Sequence, residues 1–218
     1  MLIPLHILQS FINVPIFGVF HVGAHECEES IFYDILKIHP DNRIWIDALS
    51  EKVEDACNRG FKNVFYECLT DVDNEEVKFN ITNNKQSSSI LELDTHKERY
   101  PWIHNIETRV LKGKTLDSFI KEKNINMNNF NFLNLDVQGA ELKVLRGAIK
   151  NLWRFEYIYT EVNNESIYKD CVQLPQLDSF LESFGFKRVW IDEVYLKEHG
   201  WSDALYKRDY SRVYELLG

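Results

Sequence analysis

The chain has no apolar run long enough to cross a bilayer, no cysteines at C-x-x-C spacing, no dense block of lysine and arginine, and no G-x-G-x-x-G sequence. Each absence removes a class of function. A spanning helix needs about 20 apolar residues. The apolar start, M-L-I-P-L-H-I-L-Q-S-F-I, is shorter, and it lacks the basic n-region and small-residue cleavage site of a secretion signal. It reads as a helical extension, residues 1–15, packing on the domain that follows. Cys27, Cys57, Cys68 and Cys171 have no zinc spacing and read as reduced thiols of a cytoplasmic protein. A net charge of -9, with 25 basic residues spread along the chain, argues against a phosphate-backbone ligand, so no nucleic-acid partner is expected. No repeat and no long linker divides the 218 residues, of which 44% are hydrophobic, so residues 16–218 read as one domain with a sizeable core.

What is present is an alternation of strands and helices. Strands are expected at Ile16–Val22, Arg43–Asp47, Asn63–Glu67, Val77–Ile81, Thr108–Leu111, the run ending on Asp136, Glu156–Val162, Phe186–Ile191 and Ala204–Lys207. Helices are expected at Glu28–His39, at Glu51–Arg59 with Ser50 as N-cap and Gly60 as stop, from Thr115 to Lys123, and at Leu174–Phe184. A further helix follows Gly139, its apolar face carried by Leu142, Leu145 and Ile149. Residues 82–89 form a polar loop, and residues 90–107 carry no clear pattern. Strands alternating with helices imply an α/β, doubly wound sheet with right-handed crossovers.

In such sheets the ligand sits beyond the carboxyl ends of the strands. Three of those ends carry chemistry. The segment N-F-N-F-L-N-L-D-V-Q-G-A-E-L ends a buried strand on Asp136. The first turn, F-H-V-G-A-H-E-C-E-E, places His21, Gly23, Ala24, His25 and Glu26 where backbone N–H groups approach a ligand. One glycine does not make a pyrophosphate cradle, and Glu26, Glu28 and Glu29 would repel a pyrophosphate while suiting a cationic or zwitterionic ligand. That favours a sulfonium cofactor over a dinucleotide. Asp47, followed by Ala48, ends the second strand, where an acid accepts hydrogen bonds from a ribose diol. Asp71, after the third strand, stands where an adenine pocket often lies.

Taken in order, V-G-A-H-E-C-E-E, W-I-D-A, T-L-D-S-F and L-D-V-Q-G-A-E-L-K-V-L-R-G resemble the FkbM family of S-adenosylmethionine-dependent methyltransferases, over roughly Phe17 to Lys207. The last block is the most specific. The family pattern is D-V-G-A-N-x-G, E-P and D-x-E-G-x-E; here His25 replaces the asparagine, Cys27 the second glycine, Asp47 the glutamate and Gln138 the first glutamate of the long block. The resemblance implies a Rossmann-like class I methyltransferase sheet, mostly parallel with an antiparallel late strand. It also implies S-adenosyl-L-methionine as cofactor and O-methylation of a sugar, glycan or similar small hydroxyl compound.

Methyl transfer to an alcohol benefits from a general base or from a metal that lowers the hydroxyl pKa. Asp136 is the first candidate. Glu161, closing Y-I-Y-T-E-V-N, should lie beside it, and Glu141 and His25 complete the catalytic candidates. Asp136 and Glu161, helped by Asn163, offer oxygen ligands for Mg²⁺ or another divalent cation. Ser87, Ser88, Gln138 and Asn163 are candidates for the acceptor, and the aromatics of Tyr100-Pro101-Trp102 and of Gly200-Trp201 through Tyr206 for stacking on a sugar face. Two rival readings stand beside this one: a nucleotide-binding oxidoreductase, and a non-catalytic module that keeps the fold for binding or assembly.

Overall fold

The computed structural model describes residues 3–211; residues 1–2 of the expected extension and 212–218 of the expected domain lie outside the described residues. Seven strands form the main sheet: β1 (Val19–Val22), β2 (Arg43–Asp47), β3 (Val64–Tyr66), β7 (Phe132–Leu135), β8 (Tyr157–Asn163), β9 (Phe186–Ile191) and β10 (Trp201–Arg208). Their spatial order is β3, β2, β1, β7, β8, β10, β9. All pairings are parallel except those of β10, which runs antiparallel to β8 and β9. The doubly wound sheet with an antiparallel late strand is therefore as the resemblance implies. β1 is flanked by β2 on one side and β7 on the other, so the strand order reverses there and opens a crevice at the carboxyl ends.

The central strands form where they do because their sequences are apolar on both faces. Every residue of R-I-W-I-D, F-L-N-L and Y-I-Y-T-E-V-N is buried, as parallel strands covered on both sides require. Alternation then sorts side chains to two cores. Phe20, Val22 and Ile46 meet α5 (Leu116–Glu122), α6 (Glu141–Arg146), α7 (Leu174–Ser183) and α8 (Glu193–His199) through Phe119, Leu145, Leu181 and Leu196. Val19 and Trp45 meet α1 (Leu5–Phe11), α2 (Ser30–Ile35) and α3 (Ser50–Asn58) through Leu8, Tyr33 and Ala56.

Several expectations are corrected. The α2 helix is shorter than Glu28–His39, because Lys37 adopts φ 59 and ends it. Ser50 does not cap α3: its hydroxyl turns to Glu51, while Asp47 accepts the N–H of Leu49. Ile149 is 46% exposed, since α6 stops at Arg146 and never reaches it. A second sheet joins β4 (Cys68–Leu69), β6 (Asn105–Lys114) and β5 (Glu76–Thr82) in that order, and α4 (His96–Arg99) occupies the unpatterned stretch. Thr115 does cap α5, accepting from the N–H of Ser118 at 3.1 Å. Among the described residues no helix is long and apolar enough to cross a membrane, and the four cysteines are unpaired.

Candidate functional site

A cavity of about 470 Å³ opens at the carboxyl ends of β1, β2, β7 and β8, with the 84–88 loop, α4 and the α8–β10 corner around it. Its first wall is the glycine turn. Gly23 adopts φ +80, and a Cβ there would fall 1.7 Å from the carbonyl oxygen of Asp136. Only glycine lets the first turn press against the end of β7. The turn is fastened to β2, with the N–H groups of Gly23 and Ala24 donating to the carbonyl of Ile46 at 2.9 and 3.1 Å.

Beneath it lies a buried polar chain. Asn134 donates to the Tyr33 hydroxyl at 2.8 Å, and that hydroxyl sits 3.1 Å from Nδ1 of His21. Burial holds the Tyr33 phenol protonated and the His21 imidazole neutral. If the phenol is to place its own proton, it donates to Nδ1, which leaves the His21 proton on Nε2, 3.9 Å from Glu29.

Asp47 forms the second wall. Its Oδ2 accepts the N–H of His25 at 2.7 Å and its Oδ1 the N–H of Leu49 at 2.8 Å. Burial raises its pKa, and these backbone bonds oppose the rise. Each oxygen keeps a lone pair for a hydroxyl donor in the cavity.

The floor is acidic. Gln138 Nε2 donates to Asp136 Oδ1 at 2.6 Å and to Glu161 Oε2 at 3.0 Å, while its Oε1 accepts from the Tyr168 hydroxyl at 2.5 Å. Enclosure by the cavity floor, with the Asp203 carboxylate next in effect, pushes Asp136 up to about 7. Asp136 is itself exposed on the cavity surface, so water reaches its carboxyl and softens that push. Glu161 is raised well above the usual carboxylate range by burial and by Glu141 and Asp136. The three acids titrate as a group.

Toward the mouth lie Ser87 and Ser88, the side chains of Tyr100, Tyr195 and Trp201, and His96. Tyr195 meets Trp201 edge-on at 5.0 Å. His96 is 5% exposed with an Nδ1 that has no hydrogen-bond partner among the described residues, and burial lowers its pKa.

Of the expected site residues, His21, Gly23, His25, Asp47, Ala48, Ser87, Ser88, Asp136, Gln138 and Glu161 meet around this cavity. Seven do not line it. Ala24 is buried in the second core, and Glu26 turns outward to Lys52 at 2.6 Å. Asp71 faces Lys143 at 3.5 Å, because β4 has already carried the chain away; Glu67, Cys68 and Leu69 take its place in the wall. Glu141 is fully buried, its Oε1 accepting the N–H groups of Val137 and Gly139, both at 3.1 Å, and its Oε2 without a hydrogen-bond partner among the described residues. It staples the turn that presents Asp136 and Gln138. Asn163 is buried one strand position pair beyond Glu161, outside the cavity lining. Trp102 is 66% exposed and Tyr206 is a core residue bonded to Asp178 at 2.7 Å.

His25 adopts φ 42 and pairs with Glu28 at 2.9 Å. Ligand atoms of His25, Glu26 and Glu28 come within 4.8 Å of one another at the cavity rim, but Lys52 already neutralises Glu26. Glu28 and Glu29, acids of the first turn that suit a cationic ligand, also line the cavity, whereas His96 and Tyr195 belong to stretches without periodicity and carry no sequence signal as site residues.

The Methyltransferase FkbM domain model matches residues 21–188. A 2-O-methyltransferase, NoeI, from Sinorhizobium fredii is 28% identical over 98 residues, 45% of this chain and 40% of the relative. The solved structure of methyltransferase FkbM from Methylobacillus flagellatus KT superposes with a TM-score of 0.58 at 13% identity, covering 91% of this chain and 45% of that one. The chain thus spans less than half the length of these two relatives. Spanning the glycine turn, both strand-end aspartates and the acidic floor, the family match shows that this chain belongs to the FkbM methyltransferases.

Proposed function

We propose that the chain transfers a methyl group from S-adenosylmethionine to a hydroxyl of a sugar, glycan or similar small polyol. The observation that carries this reading is the meeting of Asp136, Gln138 and Glu161 with the Gly23 turn and Asp47 around one cavity.

The residues fit the cofactor. The Gly23 turn, pressed against the end of β7, brings its backbone and Asp136 together on the cavity wall. Asp47 keeps lone pairs for a ribose diol, Cys68 and Leu69 offer an apolar wall for a purine, and Glu28, Glu29 and Asp136 favour a cation. When bound, the cofactor supplies an electrophilic methyl on a positively charged sulfur. Asp136, whose pKa lies near neutrality, takes the acceptor hydroxyl proton. Glu161 shares that proton load, and Glu141 holds the turn in register. Ser87, Ser88 and the unpartnered Nδ1 of His96 hydrogen-bond the acceptor's other hydroxyls, while Tyr195 and Trp201 cover its apolar face. Holding the acceptor in line with the methyl is the larger part of such catalysis. The 2-O-methyltransferase relative supports oxygen as the accepting atom. We further propose that residues 16–218 act as one domain with 1–15 as its extension, and that the protein works in the cytoplasm, which its unpaired cysteines support.

Calorimetric titration with S-adenosylmethionine and S-adenosylhomocysteine tests the reading, followed by methyl transfer to a panel of sugars. Micromolar binding and transfer to an oxygen are expected. Absence of binding would favour the non-catalytic module instead.

A further inference from the structure

Gln138 stands where the family pattern carries a glutamate, and its surroundings give the exchange a meaning. One nitrogen reaches Asp136 Oδ1 at 2.6 Å and Glu161 Oε2 at 3.0 Å. Its two hydrogens are sufficient for one bond to each carboxyl group. The orientation of the amide is fixed from the other end: the Tyr168 phenol, protonated because it is buried, donates to Oε1. Turning the amide over would set its oxygen against two carboxylates and leave the phenol facing N–H groups. The backbone is equally constrained. Gln138 adopts φ 54, its carbonyl accepts from the Ser89 hydroxyl at 2.7 Å, and Gly139 packs so closely on Tyr168 that an added Cβ would come within 3.1 Å of it. Among the described residues no lysine or arginine pairs with Asp136 or Glu161, so this amide is what bridges them.

We infer that the Gln138 side-chain amide occupies, between Asp136 and Glu161, the place that a bridging divalent cation would take, and so holds the two carboxyl groups as a metal-free pair. A cation bound by both acids would need oxygen contacts of about 2.0–2.6 Å, in the space the amide nitrogen fills. Gln138 is then a positioning residue. It acts through Asp136, fixing by its bond to Oδ1 where that carboxyl points, and the inference rests on the functional reading above only for what the pair is used to do. A glutamate at 138 would turn this arrangement into three converging carboxylates, a set of oxygen ligands suited to Mg²⁺ or Mn²⁺.

The test is calorimetric titration with Mn²⁺ of the wild-type protein, Gln138→Glu and Gln138→Met, each checked for folding by its melting temperature. The wild type should show no Mn²⁺ binding below about 1 mM, and Gln138→Glu should bind at least about tenfold tighter. Sub-millimolar Mn²⁺ binding by the wild type that disappears in Asp136→Asn would overturn the inference, whether or not either glutamine variant folds. A folded Gln138→Glu with no gain in Mn²⁺ affinity would overturn it as well. If methyl transfer is measurable, Gln138→Met should lower kcat at least tenfold with KM for the cofactor changed less than threefold, and the wild-type rate should survive EDTA. A rate abolished by EDTA and restored by Mg²⁺ would sink the metal-free pair. Failure of the methyltransferase reading shows separately, as absent S-adenosylmethionine binding in a wild type whose Mn²⁺ results are still as expected.

Discussion

Asp47 and Asp136 close the two strands that flank β1, yet the chain treats them differently. Asp47 is held by backbone: two N–H groups saturate one lone pair on each oxygen, and its carboxyl rises only so far as burial outweighs them. Asp136 is held by a side-chain amide and faces other acids, which together with enclosure push it up to about 7. A backbone-fixed carboxylate is suited to gripping a ligand; a side-chain-fixed one near neutrality is suited to moving a proton. The same residue type at equivalent strand ends is thus divided into binding and chemistry by what donates to it.

The sharpest way to break that division is Asp136→Asn. Kcat should fall about 10²- to 10⁴-fold, with cofactor affinity changed far less, measured by transfer of labelled methyl. The wild-type rate should rise with pH up to about 7 and then level off, because the raised carboxyl is proton-loaded, and useless as a base, below that point. An asparagine variant with the wild-type rate would remove Asp136 from the chemistry. Gly23→Ala should come next. Its Cβ would collide with the Asp136 carbonyl at 1.7 Å, in a backbone conformation alanine resists, at a cost of about 3 kcal/mol. For a domain of this size that is a fall of about 6–12 °C in melting temperature; an unchanged Tm would mean that the two turns are not packed as described.

Much of this was readable in advance, for physical reasons. R-I-W-I-D matches its strand residue for residue, since a continuous apolar run bounded by polar turns leaves a buried strand few alternatives. Asp136 was legible because the strand before it is fully buried and a carboxylate at its end has only the crevice to face. Other parts had no local signal. The α8 helix is seven residues long with Val194 68% exposed, so no apolar stripe announces it; Asp192 capping the N–H of Tyr195 and Gly200 at φ 78 define it instead. The role of Gln138 depends on Tyr168, thirty positions away, and on a positive φ. Nothing local marks Glu141, a carboxylate at a helix start, as buried; the turn before the helix folds over it and buries it.

On the binding side of the comparison, Asp47→Ala should weaken S-adenosylhomocysteine affinity by about 1–3 kcal/mol, roughly 5- to 150-fold, while kcat at saturating cofactor stays within a few-fold. A kcat loss as large as that of Asp136→Asn would erase the distinction between the two aspartates. Glu141 sharpens the chemical side. Its carboxyl is pushed up to about 8, first by burial and then by Asp136. A raised folded-state pKa contributes stability that is complete below the unfolded value of 4.5 and is lost as pH climbs through about 8. Unfolding free energy should therefore fall from pH 5 to pH 9, by up to about 1.4 kcal/mol per pH unit for one proton, read as a declining melting temperature. Glu141→Gln, which keeps an oxygen for the N–H groups of Val137 and Gly139 but does not titrate, should flatten that decline.

The smallest effect is expected at Asp71, and its smallness is informative. In sequence it is the aspartate that comes after the third strand, whereas Asp47 ends the second, and a simple strand-end rule would give both a share of the cofactor. In space, the pairing of Cys68 and Leu69 with Gly113 and Lys114 leads the chain past the cavity, and Asp71 meets Lys143 at 3.5 Å and the Thr70 hydroxyl at 3.0 Å instead. A partly exposed pair of this kind contributes about 0–1 kcal/mol. Asp71→Ala should leave S-adenosylhomocysteine affinity within about twofold of wild type by calorimetry, with at most a small loss of Tm. A tenfold loss of affinity would mean that the purine wall extends beyond Leu69 and that β4 does not divert the chain from the site.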